Sequence, residues 1–198
     1  LGGRRRIVFH ASVPSCGYAV YRLRKETPSL GFNQNMELDN PDPYTLENRF
    51  LRAEFDPETG MLCALKDRTA GYDALKGPAS VRLYVDERDA WGGLQGKRFE
   101  DRNVTFRLDS IDKVESGEIR ETIRVRLSYE GTRLEQLYSL GADERELRVE
   151  NRLCFAHPRA LLKTAYPTGE GCLITRAETA YGIVERDHKG DDGEYNMQ

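Results

Sequence analysis

A chain of 198 residues with 38% hydrophobic side chains is long enough to bury a substantial core. Its 30 basic and 33 acidic residues nearly cancel, to a formal charge of -3, which excludes a general phosphate-backbone binder and a charge-driven disordered segment. No window approaches the roughly 18 to 20 uninterrupted apolar residues of a membrane span, and Arg4-Arg5-Arg6 has no apolar signal core after it.

The chain opens on Leu1 without an initiator methionine and stops at Gln198 within a polar stretch, the expectation for a piece of a longer polypeptide. Residues 1–40 read as the end of a small β segment plus a linker, the linker carrying Pro28, Gly31, Asn33, Asn35 and Asn40. The main β domain is expected to span 41–198 and to continue beyond its C-terminus. It starts with a hairpin: Phe50 to Phe55 and Met61 to Leu65 flank Asp56-Pro57-Glu58-Thr59-Gly60, with Pro where a turn wants a fixed φ and Gly where it wants a left-handed residue. Around Ala70 to Lys76 the only helical signal is too short for more than a turn or one coil.

Val81, Leu83 and Val85 alternate as a strand, and Val104, Phe106 and Leu108 repeat the pattern. Between them a charged, glycine-rich loop surrounds Trp91, with Asp86, Glu87 and Asp89 before it. Carboxylates next to an indole suit a sugar, since the ring stacks on a pyranose face and the acid accepts hydroxyl hydrogen bonds. Asp89 and Trp91 are therefore the candidate substrate-binding residues, while spacing alone favours Trp91 as an anchor that packs the loop onto a sheet. From Ile119 to Tyr129 the apolar residues share one parity and Arg120, Arg124 and Arg126 the other. The turns Gly131-Thr132 and Gly141 to Glu144, with a further alternation from Leu147 to Phe155, complete a three-stranded meander. Most basic residues are arginines at outward strand positions among acids, which reads as solvated sheet faces.

About eleven to thirteen strands without a helical layer imply an all-β fold, two antiparallel sheets face to face in a large sandwich. Cys16, Cys63, Cys154 and Cys172 are too widely spaced for a zinc ribbon or redox dithiol and read as buried free thiols of a reducing, cytoplasmic setting. His10, His157 and His188 form no metal-ligand spacing, so no metal is expected in this chain. No nucleophile elbow or phosphate loop is present.

Several motifs in order resemble glycoside hydrolase family 38, the α-mannosidases. Tyr44-Thr45-Leu46-Glu47-Asn48-Arg49-Phe50 through Gly60 looks like the opening of that family's large β domain. The stretch Arg159 to Pro167 is similar to its Lys-x-x-Phe-Pro-type strand, with Tyr166 in place of the Phe, and Tyr181 to Arg186 looks like the strand that follows. Val13 to Tyr21 resembles the end of the preceding small β segment. The resemblance implies a β-supersandwich similar to galactose mutarotase, lying behind an N-terminal catalytic barrel of the same polypeptide. That barrel would hold zinc through histidine and aspartate and use an aspartate nucleophile with retention. None of those elements matches here, so the resemblance implies no catalytic residue in this chain, with carbohydrate as substrate and neither nucleic acid nor membrane as partner. Where the family often has Asp-Ala-Trp-Asp, this chain has Asp89-Ala90-Trp91-Gly92-Gly93, without the second acid. A stand-alone carbohydrate-binding module is the alternative, and a mutarotase-like epimerase with a His and Glu pair is a third reading.

Overall fold

The Asp56–Gly60 turn closes in the way its residue types dictate. Asp56 Oδ1 accepts the N–H of Glu58 at 2.7 Å and of Thr59 at 3.2 Å, and the Gly60 N–H donates to the Asp56 carbonyl at 2.7 Å. Gly60 has φ +72°, and a Cβ there would lie 2.6 Å from Leu108 Cδ1 and 2.7 Å from Val125 Cγ1, so both conformation and space demand glycine. This computed structural model describes residues 7–24, 42–86, 100–168 and 174–187.

The turn joins β2 (Leu51–Phe55) to β3 (Leu62–Asp67), and β1 (Thr45–Glu47) and β4 (Tyr72–Asp73) flank them in an antiparallel sheet of order β1-β2-β3-β4. The short helical signal resolves as a turn plus β4. Asp67 Oδ1 takes the N–H groups of Thr69 and Ala70 at 2.7 and 2.8 Å, diverting the backbone from a helix back onto β3.

A second antiparallel sheet has the order β6-β7-β8-β9: β6 (Arg107–Ser116), β7 (Arg120–Tyr129), β8 (Thr132–Gly141) and β9 (Arg148–Cys154). The expected meander is β7 to β9. Its first turn places Glu130 and Gly131 at φ 40° and 85°, the two left-handed residues of a tight hairpin whose twist matches its strands. By contrast β6 starts at Arg107 rather than Val104 and runs on to Ser116. Register shifts between Leu108 and Ser110 and between Lys113 and Glu115 break its alternation, which is why period two faded from the sequence after Leu108.

Cross-strand pairs Leu127 with Leu134, Val125 with Gln136 and Ile123 with Tyr138 share one face. Opposite them lie Leu46, Ala53, Phe55 and Leu62 of the first sheet, and all these apolar residues are buried in one cluster. Phe55 and Tyr138 meet edge to face with ring centroids 4.8 Å apart. Burial at about 1.5–3 kcal/mol per large side chain makes this contact of two faces the main source of stability. The fold is thus an all-β antiparallel sandwich, with twelve strands and no helix among the described residues. In particular, no helix there is long and apolar enough to cross a membrane.

The outer faces carry the arginines. On the second sheet Arg126 meets Glu135 at 2.9 Å, Arg152 reaches Glu135 at 3.2 Å, and Arg120 holds Glu115 at 2.9 Å. On the first, Arg52 lies 2.6 Å from Glu47 and 2.7 Å from Glu54. Such exposed pairs contribute only a few tenths of a kcal/mol each, but they leave a signature in acid. The Arg52 guanidinium holds Glu54 below the usual carboxylate range, Arg126 does the same for Glu135, and the Thr45 hydroxyl with the Tyr44 N–H lowers Asp42. A depressed folded pKa stabilises above the unfolded value near 4, and that stability is lost as pH falls through the folded pKa. The melting temperature followed by circular dichroism is expected to drop as pH goes from about 5 to 3. Asp42→Asn should melt lower at neutral pH and show a shallower acid slope; an unchanged slope would remove Asp42 from the linkage.

A third ladder pairs β5 (Ser80–Val85) with β10 (Ala160–Ala165), and β11 (Ile174–Thr179) forms a hairpin with β12 (Gly182–Asp187). The Ala79 N–H donates to the Leu62 carbonyl and the Lys76 N–H to that of Pro167, both at 2.8 Å, tying β5 and β10 to the first sheet. Residues 7–24 carry a turn closed by Gly17 N–H to Pro14 O at 3.1 Å, and Tyr21 Oη accepts the Ser12 N–H while donating to the Ser12 carbonyl. No strand is assigned within 7–24, and most of the proposed linker lies outside the described residues. The cysteines require a correction. Cys16, Cys63 and Cys154 are free but exposed, not buried, because Cys154 pairs with Arg133 on the outer face and Cys63 lies at the irregularity beside Phe55; Cys172 lies outside the described residues.

Candidate functional site

The loop singled out in the sequence leaves the fold at Asp86 and returns at Glu100. Asp89 and Trp91 lie outside the described residues, but the frame that carries the loop is defined. The Val85 N–H donates to the Glu100 carbonyl and the Arg102 N–H to that of Leu83, both at 2.8 Å. On the other side the Asp86 N–H and the Arg102 guanidinium both donate to the Arg159 carbonyl at 2.9 Å. Arg159 itself takes φ 52°, a left-handed turn that aims its carbonyl back at β5. Both ends of the loop are therefore held by backbone hydrogen bonds on the β5–β10 ladder.

The ladder's alternation sets what surrounds that exit. Val81 and Leu83 face the interior and are buried, which turns Arg82 and Tyr84 outward. Across the ladder Lys163 stands opposite Arg82, and its Nζ lies 5.6 Å from the Tyr84 ring centroid. Arg82 also reaches Asp101 at 3.7 Å. An aromatic face, two cations and the carboxylate of Asp101 thus gather near the loop's base, groups able to stack on a sugar ring and to bond its hydroxyls. The same contacts also serve the fold, since a cation over a tyrosine stabilises by about 0.5–1 kcal/mol at an exposed position. Tyr84 and Lys163 are not among the candidates the sequence points to, although Lys163 lies in the Arg159 to Pro167 stretch and the parity of β5 puts Tyr84 on the wet face.

Several carboxylates among the described residues are engaged in structural hydrogen bonds. A general acid needs a carboxyl pushed up toward neutral pH, whereas Asp42, Glu54 and Glu135 are all pulled down by hydrogen-bond partners. No three His, Cys, Asp or Glu residues come together there to hold a metal ion. His157 lies against Tyr129, its Nε2 3.4 Å from the Tyr129 carbonyl, and among the described residues it forms no ion pair with a carboxylate. The expected His and Glu pair of an epimerase is not assembled by His10 or His157, and His188 lies outside the described residues.

Two features unread in the sequence hold this body together. Asn48 bonds four backbone groups, joining the β1–β2 turn to the β8–β9 turn. Beside it the guanidiniums of Arg49 and Arg145 lie 4.5 and 4.2 Å from the Phe50 ring centroid. The second feature is a polar row that runs from the core to exposed Asn151: the Tyr138 hydroxyl donates to Gln136 Oε1 at 3.1 Å, and Gln136 Nε2 donates to Asn151 Oδ1 at 2.8 Å. Burial, reinforced by the nearby Tyr166, pushes the Tyr138 phenol far above its ordinary pKa. The aromatic residue of the Lys163 to Pro167 motif therefore packs onto the core, while Lys163 turns to the loop.

Among protein families, the model described as "Glycosyl hydrolases family 38 C-terminal domain" matches residues 46–196. No curated protein matches the chain.

Proposed function

Because the chain belongs to the C-terminal domain family of glycosyl hydrolase family 38, we propose that it is the non-catalytic β-sandwich portion of a retaining, α-mannosidase-like glycoside hydrolase. In this reading the active site lies on an N-terminal barrel of the same polypeptide, and the sandwich supports it, with the loop after Asp86 extending toward the sugar. The observation that carries the reading is the family match, which spans all but one residue from β1 to β12. Two further observations support it. Asp42, Glu54 and Glu135 are spent on structural hydrogen bonds that drive their pKa values down, and a cluster suited to a sugar lies at the base of a loop.

Among the described residues no three His, Cys, Asp or Glu side chains come together as a metal-ligand set, and in this reading zinc is held by histidine and aspartate of the N-terminal barrel. Exposed free thiols suit a reducing, cytoplasmic setting.

The test compares the 198-residue chain with the intact polypeptide on an aryl α-mannoside. Hydrolysis is expected only from the intact polypeptide, and zinc added to the chain alone should not restore it. Turnover by the chain alone overturns the assignment. Calorimetric titration of a mannoside into the chain and into Trp91→Ala separates the stand-alone module: heat that depends on Trp91 in the isolated chain favours the module.

A further inference from the structure

We propose that Arg102 is a positioning residue: its guanidinium braces the short segment 100–102 across β5, which holds Asp101 where it and Arg82 together grip one sugar hydroxyl beside Tyr84. The ligand rests on the glycosidase reading, while the brace is a property of the fold.

Residues 100–102 lie along β5 through the Val85 N–H on the Glu100 carbonyl and the Arg102 N–H on the Leu83 carbonyl, both at 2.8 Å, around the isolated bridge between Tyr84 and Asp101. One bridge is far short of a ladder, and so short a segment is prone to fray. The Arg102 side chain supplies support. It passes beyond β5 and donates at 2.9 Å to the carbonyl of Arg159, the residue before β10. A charge-assisted bond thus ties the segment to the far side of the ladder. The same carbonyl takes the Asp86 N–H at 2.9 Å, aimed there by a left-handed φ of 52° that disfavours any residue with a Cβ. Asn103 also takes a left-handed φ, 51°, and gives its N–H to Asp101 Oδ1 at 2.8 Å, which fixes that carboxylate. Uncommon backbone of this kind gathers at ligand sites.

With Oδ1 bound to Asn103, Asp101 Oδ2 lies 3.7 Å from Arg82 Nη1, too far for a hydrogen bond but close enough for one oxygen to bridge them. A sugar hydroxyl suits that gap, since it accepts from Nη1 and donates to Oδ2 at once, whereas an acceptor-only group such as a carboxylate cannot do both. The Arg82 guanidinium is steadied by its Nε on Ser80 Oγ at 3.2 Å. Tyr84, two residues on along the same face of β5, sets its ring beside the gap.

Steady-state kinetics of the intact polypeptide on an aryl α-mannoside and amide hydrogen exchange of the ligand-free chain test this together. Arg102→Met keeps a long side chain and loses the donors. It should raise KM about tenfold with kcat within about twofold of the parent, the mark of lost binding rather than lost chemistry. The amides of Val85 and of residue 102 should exchange about tenfold faster, while those of β7 keep the parental rate. Arg102→Lys restores one charged donor and should bring both readouts most of the way back. Asp101→Asn leaves the brace in place and should raise KM by a similar factor without changing exchange. A merely structural Arg102 would instead lower the active fraction, seen as a fall in kcat at the parental KM, and that result overturns the proposal. So do parental exchange at Val85 in Arg102→Met and a parental KM in Asp101→Asn. If Arg102→Met fails to melt cooperatively, Asp101→Asn decides. An intact parent inert on the mannoside sinks the glycosidase reading and the hydroxyl with it, and the exchange rates then still judge the brace.

Discussion

Asn48→Ala is expected to destabilise the chain by about 3 kcal/mol and to lower its melting temperature by roughly 6–12 °C. The side chain amide of Asn48 uses its full capacity on main-chain groups. Oδ1 accepts the N–H of Phe50 and of Leu51, both at 2.8 Å, which sets the turn between β1 and β2. Nδ2 donates to the carbonyls of Gly141 at 2.7 Å and Glu144 at 2.8 Å, which holds that turn against the one between β8 and β9. Alanine leaves four part-buried backbone groups to find other partners. Asn48→Asp is the sharper test, because it keeps the acceptor and replaces the donor with an oxygen facing two carbonyl oxygens. It should melt no higher than Asn48→Ala. If Asn48→Asp melts close to the parent, the bridge between the two turns contributes nothing and Asn48 is only a turn residue.

The two halves of that role differ in how far the sequence shows them. The local half was legible, since Asn at the start of a turn bonding N–H groups two and three residues on is a sequence-local pattern. The distant half was not, because nothing near Asn48 names Gly141 or Glu144. The same division runs through the fold. The hairpin at Asp56–Gly60 and the alternation of β7 to β9 follow from neighbouring residues and were readable, as was a turn at Gly131, though it closes on Glu130–Gly131 and not on Gly131-Thr132. The two bulges of β6 were not, since each flips the parity on which a period-two reading depends. Exposure of the cysteines was missed for a related reason: a small apolar-like residue was assigned to the core by type, while strand parity puts Cys154 on the outer face with Arg152. For the candidate site, the loop and its acids were visible, but its base was assembled by the pairing of β5 with β10, strands far apart in the chain.

Tyr138→Ala should cost about 4 kcal/mol, the larger of the two effects, measured by denaturant unfolding. The ring is 1% exposed and stands edge-on to Phe55 across the contact of the two sheets, so its removal leaves a cavity lined by rigid strands that cannot collapse into it. Tyr138→Phe isolates the hydroxyl. It keeps the ring but leaves Gln136 Oε1, on a side chain only 2% exposed, without its donor, and should cost about 1–3 kcal/mol. The difference between the two variants then measures the ring packing alone. Pairing Tyr138→Ala with Phe55→Ala closes the cycle: the double variant should lose less than the sum of the singles by about 0.5–1.5 kcal/mol, the coupling of an edge-to-face pair. Strict additivity would mean that the two sheets do not meet through these rings, and the packing derived from Leu46, Phe55 and Ile123 would have to be rebuilt around another contact.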